Sequence, residues 1–516
     1  ENHSFAFINA GCRDNIRYRR KIRFKQRISR QFHSHFNDCF ANRRAAHYLF
    51  VLMNIINFKN LAKNSLREKT LLIAEAGYEA IEIEKVVSRK IKSQNGKLFI
   101  KSAMTRHSAE TCSEFDLSVF KRVSLIGIGK GSALASVALA KILGKRLTDG
   151  IVLDVKKLKT KNSKLKTLVG THPLPSKQNI KATQKIIKLA RTLKKDDLLI
   201  TFICGGGSAL LCGSEKEMKN LVLATKLLTQ AGANILELNT IRKHLSEIKA
   251  GGLAKIAYPA TVISLIVSDV PTTNNDLSVV ASGPTFFDKT AKKDAIRIIK
   301  KYQRKSANLS ALISDLKETP KQKKYFEKVK NVLFLSNREP LLAMAEKARE
   351  LGFKSKIYSL KLYGEAKNAL LPLFSALPYR EVPKAILAGG ETTVALEGRP
   401  RGKGGRNMEA VLGALNFLNS KSYILNSDLV VMSFASDGRD NTEAAGAMAD
   451  LLTIKKAKKL KLTPQKFLNM NDSFNFFKKT GDLIYTEQKT FNVADLMIIL
   501  KSMNNVFAKG ESPKGL

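Results

Sequence analysis

Apolar residues recur along the chain in two patterns, one with the period of a helix and one of short continuous runs. Between residues 66 and 92 the apolar positions are spaced close to 3.6 residues apart, which predicts an amphipathic helix. Apolar runs at 123–128, 198–204 and 260–267 end in glycine or polar residues, and helical stretches follow the first two. Because strands that alternate with helices form parallel sheets, we predict an α/β fold.

A second block of strands and helices follows a lysine-rich connection at residues 300–330. We predict two domains, an N-terminal Rossmann-like parallel sheet with flanking helices over residues 53–315 and a C-terminal α/β domain over residues 330–510. Such sheets bind ligands beyond the carboxyl ends of their strands, so we expect the active site in the cleft between the domains. The strands and the helix predicted in the second block are Val332–Leu335, Ala385–Ala388, Leu429–Phe434 and Leu341–Leu351.

The first 52 residues differ in composition from the rest of the chain. They hold nine arginines and two lysines, whereas the remainder holds 16 arginines and 62 lysines. The change occurs just before Met53 and indicates that residues 1–52 are upstream translated sequence or a non-native or disordered leader. A genuine basic arm is the alternative. We expect a chain that begins at Met53 to fold and to remain active.

The formal net charge of +45 over 516 residues suggests, at first sight, a nucleic-acid partner. The lysines are nevertheless spread along predicted surfaces, and few aromatic residues lie between them to stack on bases. We therefore favour a solvated basic surface over a dedicated nucleic-acid face. The five cysteines include no C-x-x-C pair, and no apolar run reaches the roughly 18 residues of a membrane span. The sequence favours a reducing, cytoplasmic compartment without a membrane partner.

Two glycine-rich loops follow the first two predicted strands. The stretch 127–132 brings backbone N–H groups and Lys130 to a predicted helix N-terminus, where anions bind. It lacks P-loop spacing, and Ser132 replaces the third glycine of a dinucleotide-binding fingerprint. The loop 205–208 allows close backbone approach to a ligand. We interpret both loops as anion sites, with glycine turns required for packing as the alternative. The candidate ligand-binding residues are Gly129, Gly131, Gly206, Gly207 and Ser208.

Carboxylates lie at the ends of other predicted strands. Asp269 follows the third strand, with Asn274 and Asp276 close behind it, and Asp437 follows the strand at 429–434. Carboxylates at such positions could hold Mg²⁺, which prefers oxygen ligands and accompanies nucleotide phosphates. Capping of turns by Asp and Asn is the alternative interpretation.

Cationic side chains are concentrated in two further segments. Residues 239–244 contain Arg242 and Lys243, and a glycine-rich loop of the second block ends at Arg406, shortly after Glu391. The Arg406 guanidinium precedes a predicted helix and could fork onto a phosphate or a carboxylate. The other cations of this loop are Arg399, Arg401 and Lys403. Anion-binding loops, an arginine loop and carboxylates together are typical of phosphoryl transfer.

These motifs resemble the glycerate 2-kinase family, the class II glycerate kinases with a C-terminal MOFRL domain. The resemblance covers roughly residues 60–500 and rests on motifs that occur in the same chain order. They contain Lys130, His172, Ser208, Arg242, Pro284, Glu391, Arg406 and Asp437. It implies transfer of the γ-phosphoryl group of ATP to the 2-hydroxyl of D-glycerate, with Mg²⁺ as cofactor. It also implies that Lys130 and Arg406 are catalytic, in the cleft between the domains.

Two other functions are open at this point. A hydroxypyruvate reductase would need an acidic contact for the ribose of its dinucleotide, for which Asp154 is the candidate. A basic nucleic-acid-binding protein would lose affinity steeply as salt rises. We favour the kinase, with D-glycerate and ATP as its small-molecule partners and a homodimer as the assembly to consider.

Overall fold

The computed structural model describes residues 53–103, 109–160, 162–270, 276–304, 307–377, 382–396, 402–420 and 428–502, so the predicted leader lies outside it. The strands are β1 (Ile91–Gln94), β2 (Lys97–Lys101), β3 (Cys112–Asp116), β4 (Arg122–Ile128), β5 (Leu147–Asp154), β6 (Leu165–Val169), β7 (Asp197–Ile203), β8 (Thr261–Val267), β9 (Val329–Leu335), β10 (Lys354–Leu362), β11 (Lys384–Gly390), β12 (Leu429–Ala435), β13 (Gly446–Ala449), β14 (Leu483–Ile484) and β15 (Asp495–Lys501).

The helices lie between and around these strands. They are α1 (Phe58–Leu61), α2 (Ser65–Ala80), α3 (Ile83–Lys90), α4 (Ser132–Leu143), α5 (Lys177–Arg191), α6 (Gly207–Leu210), α7 (Glu215–Ala231), α8 (Ile235–His244), α9 (Gly252–Ala257), α10 (Lys292–Tyr302), α11 (Arg338–Glu350), α12 (Ala366–Ala369), α13 (Leu371–Phe374), α14 (Arg406–Ser420), α15 (Leu451–Lys459), α16 (Pro464–Asn469) and α17 (Ser473–Thr480). Short 3₁₀ segments are Gly144–Arg146, Leu277–Ser282, Ala307–Asp315 and Lys323–Tyr325. Within the described ranges, no helix is both long enough and apolar enough to cross a bilayer.

The first large sheet is parallel throughout and has the strand order β6-β5-β4-β7-β8-β9. Strand β7 is buried along its whole length, as expected for a parallel sheet with helices on both faces. The order runs outward in opposite directions from β4 and β7. The carboxyl ends of these two strands therefore form the switch point at which such sheets bind ligands. The prediction of a Rossmann-like sheet is confirmed.

The second large sheet is mixed and has the order β10-β11-β15-β12-β13-β14. Within the described chain, β10 and β11 are parallel to each other, and every other pair of neighbouring strands in this sheet is antiparallel. Helix α14 packs on this sheet and buries Met408, Val411 and Leu415 in its core. The helical period of these apolar positions explains why α14 forms where it does. The predicted α/β class with a second α/β block is confirmed, and strands β1, β2 and β3 add a small antiparallel sheet.

Two elements differ from the sequence prediction. The strand predicted at Val332–Leu335 belongs to β9, which pairs in parallel with β8 and so carries the first sheet beyond residue 315. The apolar pattern over residues 66–92 is divided between α2 and α3, because the chain bends at Ile81 and Glu82 bridges to Thr490. Ile81 is buried, so the pattern continues through the bend and hides it from a periodicity analysis.

Helix α2 precedes the first sheet in the chain but packs against α11 and against strands β12 and β15 of the second sheet. Its buried Arg67 donates to both carboxylate oxygens of Asp450, from Nε at 2.7 Å and from Nη2 at 2.6 Å. Nη1 of Arg67 donates to Asp482 at 2.8 Å. The described part of the chain therefore begins on the second sheet, forms the first sheet, and then returns to complete the second.

Candidate active site

A cleft of about 1290 Å³ opens between the carboxyl ends of the first sheet and the loops of the second sheet. Gly129 and Gly207 do not line it, because both are packed into the loops behind it. Ser208 lines a smaller pocket beside the cleft, together with Arg242. The predicted site residues that line the cleft are Lys130, Gly131, Gly206, Asp269, Glu391, Arg406 and Asp437.

Lys130 lies in the turn that joins β4 to α4. Its neighbours Gly129 and Gly131 have φ values of 106° and 81°, which favour glycine and allow the chain to turn directly into the helix. The Lys130 N–H donates to the Gly205 carbonyl at 2.9 Å, so the loops that follow β4 and β7 are hydrogen-bonded to each other. The Lys130 ammonium lies 3.5 Å from a carboxylate oxygen of Asp437. One cation of the first sheet thus faces an anion of the second.

The loop after β7 is made of glycines for steric reasons. A Cβ on Gly205 would lie 1.9 Å from Oδ2 of Asp269. Gly206 has a φ of 78°, and a Cβ there would lie 3.2 Å from the ring of His172 and 3.4 Å from Cγ of Lys130. Burial, and then the charge of Lys130, lower the pKa of His172 to about 4, so this ring is neutral at pH 7. The missing side chains leave room along the cleft wall.

Asp269 and Glu391 bring two carboxyl groups to the cleft from different sheets. Burial, and then the charge of Glu391, raise the pKa of Asp269 to about 7, and Lys130 and Arg406 oppose this rise. Within the described residues, no group of three or more His, Cys, Asp or Glu side chains is arranged to hold a metal ion.

Arg406 is the first residue of α14 and is bound by carboxylates on two sides. Its Nε donates to Oδ2 of Asp495 at 2.5 Å and its Nη2 to Oδ1 at 3.3 Å. Nη1 donates to Glu391 at 2.5 Å. Burial alone would lower the pKa of the Arg406 guanidinium, but Asp495 and Glu391 raise it above its ordinary value. Arg406 is therefore a fixed positive charge, and 31% of its side chain is exposed to the cleft.

The start of α14 is anchored by two more buried acids. Asp440 accepts from the Met408 N–H at 3.0 Å and from the Asn407 amide at 3.3 Å. Burial raises the pKa of Asp440 to about 7. Burial likewise raises the pKa of Glu409 to about 7, although a hydrogen bond from Asn471 partly opposes the rise. These acids fix the orientation of the helix that carries Arg406.

Sequence reasoning missed Asp495, the residue that holds Arg406 in place. Asp495 is fully buried at the first position of β15, and both Arg406 and Asn407 donate to it. The available signal was an acidic residue at the head of an apolar strand, since a buried charge needs a partner. Its partner could not be identified, because it lies 89 residues away in the chain.

Arg242 lines a pocket of about 250 Å³ that shares His172, Pro173 and Gly206 with the cleft. The neighbouring cations of the same segment are used differently. Lys243 pairs with Asp288 at 3.1 Å, and the buried ring of His244 lies 2.8 Å from the Lys317 carbonyl. The segment 239–244 therefore supplies one cation, not two, to the region of the cleft.

Asp154 ends β5 but does not project as a free acid into the cleft. Oδ2 accepts from the Ala133 N–H at 2.9 Å and Oδ1 from the Val155 N–H at 2.6 Å. Burial raises the pKa of Asp154, and these backbone hydrogen bonds oppose the rise. The carboxylate thus caps the N-terminus of α4, where a dinucleotide-binding protein holds its pyrophosphate.

Of the remaining candidate residues, the structure describes Asp276 and Lys403. Asp276 accepts from the Ser278 N–H at 3.0 Å at the start of a 3₁₀ segment, which is the capping role. Lys403 pairs with Glu443 at 2.8 Å and lies 3.9 Å from the centre of the Phe474 ring. Three predicted candidates lie outside the described residues: Asn274, Arg399 and Arg401.

Comparison with known proteins assigns both halves of the chain to families. Residues 70–316 match a domain of unknown function, DUF4147, and residues 384–495 match the MOFRL family. A glycerate 2-kinase from Pyrococcus horikoshii is 31% identical over 454 residues, which cover 84% of this chain and 97% of the relative. A D-glycerate 2-kinase from Thermotoga maritima is 32% identical over 393 residues, covering 73% of this chain and 90% of the relative.

Two further comparisons concern the activity named for a relative and the fold. A protein of Agrobacterium vitis that is provisionally named a hydroxypyruvate reductase is 34% identical over 391 residues, covering 73% of this chain and 87% of the relative. The crystal structure of glycerate kinase from Thermotoga maritima matches with a TM-score of 0.68 and 28% identity, covering 85% of this chain and 99% of that structure. Identity, coverage and fold agree, and the chain belongs to the glycerate 2-kinase family.

Proposed function

We propose that this protein is a glycerate 2-kinase that transfers the γ-phosphoryl group of ATP to the 2-hydroxyl of D-glycerate, giving 2-phosphoglycerate and ADP. One observation carries the proposal: Lys130 of the first sheet and Arg406 of the second line the same cleft. Phosphoryl transfer spreads negative charge over the oxygens of the moving group, so catalysis depends on positioned cations. Two cations held on opposite sheets suit this chemistry. The names of the relatives support the same activity.

Lys130 is the first of the two proposed catalytic residues. Its ammonium extends from a loop whose backbone is tied to Gly205, so the charge starts from a fixed position. The Asp437 carboxylate at 3.5 Å holds the ammonium in the cleft before a substrate arrives. Transferred oxygens would compete for the same ammonium, and the gain would be largest when their charge is greatest, in the transition state.

Arg406 is the second proposed catalytic residue, and its contacts restrict its role. Asp495 occupies Nε and Nη2, which leaves the edge that faces Glu391 as the one able to contact a phosphoryl oxygen. Glu391 is 43% exposed and can move aside when an anion binds. Arg406 would then neutralise the moving group from the side opposite Lys130. The buried pair with Asp495 keeps the guanidinium in position during this exchange.

We further propose that Asp269 and Asp437 hold Mg²⁺ together with phosphate oxygens of ATP. Carboxylate oxygens are the donors that Mg²⁺ accepts, and it commonly uses one or two carboxylates with water and substrate phosphates. Burial, and then the charge of Glu391, raise the pKa of Asp269, so its ionised form is disfavoured and a bound cation would stabilise it. When bound, Mg²⁺ would neutralise the charge of the β- and γ-phosphates.

Hydroxypyruvate reduction is the less favoured function. A dinucleotide needs the N-terminus of α4 for its pyrophosphate and a free acid at the end of β5 for its ribose. Asp154 is that acid, and its two carboxylate oxygens are already bonded to the Ala133 and Val155 N–H groups. A nicotinamide dinucleotide would have to displace these contacts. We also propose a cytoplasmic location and no dedicated nucleic-acid partner.

A coupled assay of ADP release with D-glycerate tests the proposed activity. We expect turnover that requires D-glycerate, ATP and Mg²⁺, and NMR of the product should show the phosphoryl group on the 2-hydroxyl oxygen. NADH oxidation with hydroxypyruvate should stay at the level of a protein-free control. Absence of phosphorylated product, or NADH oxidation by the purified protein, would overturn the proposal.

A further inference from the structure

The pocket beside the cleft is small and carries one uncompensated positive charge. It has a volume of about 250 Å³ and lies between the segment 172–175 and helices α6, α7 and α8. Arg242 is its cation, and Nη2 donates to the Thr225 hydroxyl at 3.2 Å. Among the described residues, no carboxylate pairs with Arg242, and burial lowers the pKa of its guanidinium. A half-buried guanidinium without a counter-charge indicates an anionic ligand.

The cation next to Arg242 shows the contrast. Lys243 faces the other way and forms an ion pair with the buried Asp288 at 3.1 Å. Lys243 is thus neutralised within the protein, whereas Arg242 ends in a pocket with an apolar wall. That wall is formed by Pro173, Leu174, Pro175, Ala209 and Leu221. A ligand with an anionic end and a short carbon chain would match both features.

The pocket adjoins the cleft near Lys130. Both cavities are lined by His172 and Gly206, so they adjoin at these two residues. A Cβ on Gly206 would lie 3.2 Å from the His172 ring and 3.4 Å from the stem of Lys130, so glycine keeps the space between these side chains free. The Ser208 hydroxyl, 2.9 Å from the Ser282 hydroxyl, gives the pocket a neutral polar contact.

We propose that this pocket, the acceptor pocket, binds the 2-hydroxy acid and that Arg242 binds its carboxylate, so that the 2-hydroxyl points towards Lys130. This inference rests on the proposed kinase function and names the residue that selects the acceptor. A guanidinium presents two parallel N–H donors to a carboxylate, which fixes the orientation as well as the position of a small acid. The γ-phosphoryl group would approach from the large cleft.

The size of the pocket favours the acid over the nucleotide as occupant. Its volume of about 250 Å³ is below the range of about 300–1,000 Å³ usual for drug-sized ligands. The adjoining cleft of about 1290 Å³ has the space, and in Lys130 and Arg406 the charges, that a triphosphate needs. A three-carbon acid therefore fits the smaller cavity and the nucleotide the larger.

Steady-state kinetics of Arg242→Met tests the acceptor pocket, because methionine keeps much of the stem and removes the charge. We expect KM for D-glycerate to rise about 10- to 100-fold, with KM for ATP within about twofold of the wild-type value. For Arg242→Lys, KM for D-glycerate should lie between the values for the wild type and for Arg242→Met. Glycerol, in which an alcohol replaces the carboxylate, should be used equally poorly by wild type and Arg242→Met. Arg297→Met, at an exposed position of α10, is the matched control and should change neither KM.

Calorimetric titration of D-glycerate without ATP separates this inference from the proposed function. Binding by wild type and its loss in Arg242→Met would support the pocket even if no phosphorylation were detected. A rise in KM for ATP with an unchanged KM for D-glycerate would assign Arg242 to the nucleotide and overturn the inference. Unchanged glycerate binding and kinetics in a folded Arg242→Met protein would overturn it as well.

Discussion

Arg406 and Asp495 lie side by side, with Nε of the guanidinium 2.5 Å from Oδ2 of the carboxylate and Nη2 3.3 Å from Oδ1. Asp495 is fully buried, whereas 31% of the Arg406 side chain remains exposed to the cleft. The pair therefore joins the core of the second sheet to the site. It fixes the direction in which a positive charge faces the cleft.

This geometry predicts that Arg406→Lys is not a conservative change. A lysine keeps the charge, but its single ammonium cannot contact both oxygens of Asp495 and also face a phosphoryl group. We expect turnover at saturating substrates to fall by about 10² or more, from the loss of a contact made in the transition state. Arg349→Lys, at an exposed position of α11, is the matched control. Wild-type turnover in Arg406→Lys would remove Arg406 from the proposed machinery.

Lys130→Met tests the charge in the glycine loop of the first sheet. Methionine keeps most of the bulk of the stem, so we expect the thermal midpoint to stay near the wild-type value. Turnover should fall by about 10²–10³, which corresponds to roughly 3–4 kcal/mol of transition-state stabilisation. Lys141→Met, on the exposed face of α4, serves as the control. An undiminished rate in the first variant would refute the assignment of Lys130.

The raised pKa of Glu409 predicts a pH-dependent effect on stability. Its pKa is about 7 in the folded protein, mainly because of burial, and 4.5 is its ordinary value. Between pH 4.5 and pH 7, Glu409 is therefore protonated in the folded protein and ionised in the unfolded protein. The free energy of unfolding falls as pH rises through this range. We expect Glu409→Gln to raise the free energy of unfolding at pH 8, by up to about 3 kcal/mol, and to change it little at pH 4.

Urea denaturation of both proteins at pH 4 and pH 8 measures this difference. Glu346→Gln, which removes an exposed carboxylate, should give the same shift at both pH values. A Glu409→Gln effect that does not vary with pH would show that the pKa of Glu409 is the same in the folded and the unfolded protein.

The buried cluster of Arg67, Asp450 and Asp482 predicts a large effect on stability. Arg67→Met leaves buried Asp450 without its cation and buried Asp482 with only the more exposed Lys63, 3.4 Å away. The loss of one partner from a buried ion pair costs about 3–5 kcal/mol. We expect the urea midpoint to fall accordingly. The triple variant that adds Asp450→Asn and Asp482→Asn should recover part of the loss, because no buried carboxylate is then left unpaired, and Lys63, which also contacts Asp482, is partly exposed to solvent. No recovery in the triple variant would argue that packing, and not charge, dominates at this site.

The sequence was sufficient to predict the strand ends and the loops, but not the partners of the charged side chains. Lys130 and Arg406 could be identified because each lies in a glycine-rich loop beside a buried strand. Asp495 could not be paired with Arg406, because burial of both groups depends on how β15 lies between β11 and β12. Arg67 was hidden for the same reason, since its acidic partners lie more than 380 residues later.

The position of the bend at Ile81 was not predictable either. Periodicity reports which face of a helix is buried, and this face stays buried on both sides of the bend. The bridge that turns the chain there involves Thr490, in a different part of the sequence. The sequence also could not show which cation of the segment 239–244 lines a pocket. Arg242 and Lys243 carry the same charge, and only the fold places Arg242 in the small pocket and Lys243 beside Asp288.

The attachment of α2 to the second sheet has a consequence for synthesis on the ribosome. Arg67 emerges early, but Asp450 is made 383 residues later and Asp482 another 32 after that. The first sheet, in contrast, draws all its strands from one continuous stretch and can close while the ribosome is still translating. After α2 is synthesised, Arg67 therefore stays in contact with solvent until the segments that carry Asp450 and Asp482 have been made. Such distant contacts slow folding, so we expect completion of the second sheet to limit the rate at which newly made protein becomes active.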